Sequence, residues 1–128
     1  MSYRPTICVD FDGVIHAYTS GWQGADVVAD PPVPGAFDWL AELLGSKTGP
    51  LPVIYSSRSK EEGGIRAMRE WFAVHGFPAA FLERLEFPTQ KPAAFLTIDD
   101  RAICFEGTFP SAAEMLAFTP WNKPRAPP

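Results

Sequence analysis

A chain of 128 residues is long enough for one compact domain and too short for two ordinary ones. With 46% hydrophobic and 20% charged residues the composition is globular and excludes intrinsic disorder. A net charge of −4 and the lack of any lysine or arginine block exclude a broad phosphate-tracking surface, leaving room for a local basic pocket. Taken in chain order, a first strand is expected over residues 6–10. Residues 15–34 have no sustained period and hold His16, Tyr18, Trp22 and three prolines, which marks a long loop or small flap. A helix follows Pro34-Gly35, with Phe37, Leu40, Ala41 and Leu44 on one stripe and Gly45 as its stop.

Leu51-Pro52-Val53-Ile54-Tyr55 reads as a second strand that delivers Ser56. Ser59 and Glu62 have capping-box spacing and open a helix that buries Ile65, Met68 and Phe72 and ends near Gly76. Residues 85–87 are a short third strand, 94–98 a fourth and 102–105 a short fifth. Ser111 and Glu114 repeat the capping-box spacing ahead of a last helix through Phe118. The proline-rich tail, 119–128, is expected to lie extended and pinned by Trp121, which leaves one domain over 1–118. Cys8 and Cys104 fall in expected strands as small buried hydrophobes, without metal-ligand spacing, which fits a reducing compartment. No apolar leader and no run of membrane-spanning length is seen, so a soluble cytoplasmic protein without membrane partners is expected. Strands alternating with amphipathic helices imply a parallel α/β sheet, whose site lies beyond the carboxyl ends of its strands.

Asp10, Ser56 and Asp99-Asp100 fall at those ends, and Lys91 in a loop. Ile7-Cys8-Val9-Asp10-Phe11-Asp12-Gly13-Val14 is an apolar run closing on two carboxylates one residue apart. Residues i and i+2 of a strand share a side, so both acids can address one point. Such a pair needs a cation or proton-transfer work, although a surface turn that merely ends a strand is the plainer alternative. Further along stand Ser56-Ser57-Arg58-Ser59, then Lys91-Pro92, then Phe95-Leu96-Thr97-Ile98-Asp99-Asp100-Arg101.

Acid pair, hydroxyl, lysine and second acid pair, in that order from about Ile7 to Phe105, resemble the four motifs of the haloacid dehalogenase-like (HAD) phosphohydrolases. The resemblance implies a three-layer Rossmann-like sheet of strand order 3-2-1-4-5 flanked by helices. Neither interval between motifs has room for a folded cap, so the likeness is to small capless members with a short flap after strand one, as found among bacterial and phage proteins.

The resemblance also implies roles. Asp10 would be the nucleophile that forms an aspartyl-phosphate, and Asp12 the general acid and base. Ser56 would hydrogen-bond a phosphate oxygen; Ser57 and Ser59 are close by, but the run ending at Tyr55 favours Ser56. Lys91 would neutralise the phosphate, and Arg58 is a weaker second cation or a plain loop arginine. Mg²⁺ would be held by Asp10, the main-chain carbonyl of Asp12 and Asp100, with Asp99 behind them. His16 touches substrate or merely packs, and Tyr18 and Trp22 form aromatic walls or close a small core. The expected activity is a Mg²⁺-dependent phosphomonoesterase whose partner is a phosphorylated small molecule or nucleic-acid end. The alternative is a phosphorylatable or non-catalytic phosphate-binding regulatory module.

Overall fold

The computed structural model describes residues 3–123. Its centre is a three-stranded parallel sheet of order β2-β1-β3, in which β1 is Thr6–Val9, β2 Leu51–Ile54 and β3 Leu96–Ile98. Thr6 pairs with Leu51 and Val9 with Ile54 on one side; Ile7 pairs with Leu96 and Val9 with Ile98 on the other. Side chains alternate along β1, so Ile7 and Val9 enter the core while Cys8 faces the opposite side.

Three helices cover the core face: α1 (Ala36–Gly45), α2 (Gly64–Val74) and α3 (Ala79–Arg84). Helix α1 buries Ala36, Leu40 and Leu44, one residue per turn, and α2 buries Met68, Trp71 and Phe72 on a single stripe. Phe37 of α1 stacks on Phe72 at 5.4 Å and meets Trp71 edge-on at 5.5 Å, which locks the two helices together over Val9 and Ile54. Ahead of α2 a single 3₁₀ turn, Ser57–Lys60, carries the chain away from β2.

Several expectations are corrected. Residues 102–105 form no strand, and all four, Cys104 included, are exposed. A strand starting there would follow β3 too closely for the dozen-residue crossover that parallel pairing needs. Instead the Arg101 N–H donates to Asp99 Oδ1 at 2.7 Å, a local turn that takes the chain off the sheet. The expected strand at 85–87 shrinks to one bridge between Glu86 and Val53, with the Ile54 N–H donating to the Glu86 carbonyl at 2.9 Å. Pro88 directly follows Phe87 and cannot extend the ladder. The result is a three-stranded sheet with helices packed on one face, not five strands between two helical layers.

The capping box at the second motif is Ser56 with Ser59, not Ser59 with Glu62, and it caps the 3₁₀ turn; α2 starts later, behind Gly63. A side chain at Gly64 would strike the Arg58 carbonyl, so glycine is required where α2 meets that turn. The last helix, α4 (Ala112–Leu116), has the expected Ser111–Glu114 box, but it packs against no other element and buries no residue. Trp121 does pin the tail: its Nε1–H donates to the Gly13 carbonyl at 2.8 Å. Residues 124–128 of the expected tail lie outside the described residues. No helix among the described residues is long and apolar enough to cross a membrane.

Candidate active site

Beyond the carboxyl ends of the strands, on the face that the helices leave open, lies a cavity of about 300 Å³. Strand alternation puts Cys8 and Asp10 of the first strand's line, and Thr97 and Asp99 of the third's, on this one side. Tyr55, Ser56 and Ser57 enter from the end of β2, and Lys91 and Arg101 complete the wall. Of the residues expected from sequence, Asp10, Ser56, Lys91 and Asp99 thus face the same cavity. Asp100 joins them through its carboxylate: Asp10, Asp99 and Asp100 each place an oxygen within 4.8 Å of the others.

Three carboxylates at that spacing repel one another. Burial, then the Asp99 charge and a hydrogen bond that the protonated carboxyl donates to Asp100, push Asp10 up to about 8. A proton or a cation must therefore sit among them at neutral pH. The donors are all hard carboxylate oxygens, with no sulfur and no imidazole among them, a set that fits Mg²⁺. Asp100 is the more enclosed of the adjacent pair, with its side chain 4% exposed. Its carboxylate lies against Gly13, where a side chain would overlap it. Asp99 is exposed and already accepts the Arg101 N–H.

Ser56 is buried, and its Oγ accepts the Arg58 N–H at 3.1 Å. That bond uses a lone pair and leaves the hydroxyl proton free to donate into the cavity. Ser56 is itself the N-cap of the 3₁₀ turn, and Ser59 closes the box, its Oγ accepting the Ser56 N–H at 3.0 Å.

Asp12 is held apart from the acidic cluster. Arg58 Nε donates to both of its oxygens, at 2.9 and 3.1 Å, and His16 Nδ1 donates to Oδ1 at 2.8 Å. The Asp30 N–H donates to His16 Nε2 at 3.0 Å, so that nitrogen bears no proton and Nδ1 does. Arg58 is not an exposed loop arginine: its side chain is fully buried and lines no part of the cavity. Its Nη1 donates to the carbonyls of Gly24, Ala25 and Val27, and Trp22 covers the guanidinium at 4.9 Å from its ring. The stretch after β1 is thereby tied to the second motif by one side chain.

His16 is buried in this network and does not reach the cavity. Tyr18 adopts a left-handed backbone with φ 62°, uncommon for a bulky residue. Burial and the Asp12 charge push its phenol up.

The cation that sequence reasoning passed over is Arg101. It lines the cavity beside Lys91, where Arg58 was expected to contribute. Its position directly after the Asp99-Asp100 pair was the available signal, since the turn that releases those acids also swings the next side chain to the same rim. Set against protein-family models, curated proteins and solved structures, the chain matches none.

Proposed function

We propose that this protein is a Mg²⁺-dependent phosphomonoesterase of HAD-like type, working through an aspartyl-phosphate on Asp10. The observation that carries this reading is the convergence of Asp10, Asp99 and Asp100 with Ser56 and Lys91 at one strand-end cavity. An acid cluster alone would favour cations only; an adjoining lysine and free hydroxyl favour an anion held against a cation.

Asp10, Asp100 and the main-chain carbonyl of Asp12 would hold the cation, with Asp99 behind Asp100. Bound there, Mg²⁺ supplies charge neutralisation to the phosphoryl oxygens and keeps Asp10 ionised at neutral pH. Lys91 and Arg101 offset further phosphate charge, and the Ser56 hydroxyl donates to a non-bridging oxygen. A carboxylate oxygen of Asp10 attacks phosphorus, the bond to the leaving oxygen breaks, and that oxygen takes a proton from Asp12. Water then attacks the aspartyl-phosphate, Asp12 accepts its proton, and the phosphorus–Asp10 bond breaks to release phosphate.

Arg58 and His16 hold the Asp12 carboxylate outside the cavity, so it must turn away from them to serve both steps. Among the described residues no cap closes the site, so a phosphate on a small molecule or a strand end is sterically admissible. The decisive test is release of p-nitrophenol from its phosphate ester with Mg²⁺, with EDTA, and in Asp10→Asn. Metal-dependent turnover lost in the variant is expected. Full activity in Asp10→Asn would refute the nucleophile, and a long-lived phosphorylated protein without turnover would replace the enzyme with a phosphorylatable module.

A further inference from the structure

Next to the acidic cavity lies a second and larger one, of about 430 Å³. Its walls are Ile103, Phe105, Pro110, Met115 and Phe118, with Arg101 as the one charged residue among the described residues. Arg101 also lines the acidic cavity, so one residue is shared by the two. The apolar side chains are poorly covered: Ile103 is 55% exposed, Phe105 58% and Met115 51%. Apolar surface of this extent beside a charged site is characteristic of a binding surface.

We propose that this groove takes the leaving group of the substrate, and that the substrate is a phosphomonoester of an aryl or similarly apolar alcohol. The inference rests on the acidic cavity being the phosphate site. A phosphoryl group seated by Asp10, Ser56 and Lys91 sends its ester substituent outward past the rim. Over Arg101 that substituent enters the groove. The charge pattern is complementary from end to end: cations meet the phosphate and hydrocarbon meets the organic part. Arg101 also presents a planar face on which an aromatic ring can lie.

The lining narrows the chemistry. Among the described residues no acid, amide or hydroxyl side chain lines the groove. A nucleobase or sugar placed there would bury polar edges without partners, whereas a hydrocarbon would not. The volume lies within the range of small-molecule sites and accommodates two fused rings.

The test is isothermal titration of the Asp10→Asn protein in Mg²⁺ with 1-naphthyl phosphate, uridine monophosphate, glycerol phosphate and inorganic phosphate. Naphthyl phosphate is expected to bind at least about tenfold tighter than the other three. That excess disappears in Met115→Ser and Phe118→Ser, while inorganic phosphate binds them unchanged, which also shows that they are folded. Equal affinities, a preference for the nucleotide, or an aryl preference that survives both substitutions overturns the proposal. So does a dimer in sedimentation that Leu116→Ser dissolves, if naphthyl phosphate then shows no gain over phosphate. Turnover of p-nitrophenyl phosphate by the wild type separates the two readings. No turnover with the aryl preference intact removes the phosphatase and keeps the groove; turnover without the preference removes the groove and keeps the phosphatase.

Discussion

Asp10 carries conflicting demands, because the carboxyl that must be ionised to attack phosphorus sits where burial and two neighbouring acids hold it protonated. Its ordinary value of 3.8 is raised to about 8 in the fold. The unfolded chain releases that proton near 4 and the metal-free fold only near 8. Stability of the metal-free protein is therefore greatest at low pH on this account and falls as pH climbs between those values, on the order of 1 kcal/mol per pH unit, levelling above 8. Asp10→Asn removes this slope. We expect the variant to be inactive yet more stable than wild type in EDTA at pH 8, with both measured by chemical denaturation across pH 4–9. Gly13 is the second residue on which the cluster depends. Its φ of 83° suits glycine, and any side chain there would overlap the Asp100 carboxylate. Gly13→Ala is expected to cost about 1–3 kcal/mol and to weaken Mg²⁺ binding, read by denaturation and by calorimetry.

The stretch after β1 shows how a connection without regular structure becomes a defined part. The Phe11 carbonyl accepts the N–H groups of Val14, Ile15 and His16, which curls the chain so that Phe11 and Ile15 enter the core and His16 reaches back to Asp12. Beyond it, residues 22–27 have no helix or strand and are held instead by Arg58. Removing that side chain leaves three carbonyls without their Arg58 donor and Asp12 with His16 alone. Arg58→Ala is expected to lower stability by about 3–5 kcal/mol, and Arg58→Lys to recover little, because one ammonium cannot serve positions reached by both Nε and Nη1. Urea melts of the two variants check this. The motif order Asp10, Ser56, Lys91, Asp99-Asp100 was legible because the acids and Ser56 each close an apolar run and Lys91 stands just ahead of one. The destination of Arg58 was not, since an arginine between serines reads as a loop cation until a fold surrounds it. The strand expected at 102–105 failed for a related reason: alternation of apolar residues marks a strand only where a neighbour can pair with it.

Residues 102–123 are attached to the rest through few points. Helix α4 contacts no other element, and Phe109 and Leu116 are each 87% exposed. What ties this region back is the Trp121 bond to the Gly13 carbonyl and the Asn122 bond to the Ala17 carbonyl at 3.2 Å. Both land on the curl that follows β1, next to the acidic cluster. Trp121→Phe keeps the ring and loses the donor, so a loss of about 1 kcal/mol is expected in thermal unfolding. The parallel sheet, its helical stripes and the strand-end position of the acids could be read from residue order alone, because periodicity and local turn chemistry act over a few neighbours. Which acids cluster, which cation faces the cavity and which lies buried on Asp12, and where the sheet stops were settled by packing. Those outcomes depend on contacts between residues such as Asp12 and Arg58, distant in the chain, whose charges are worth little in water and a great deal once the fold removes it.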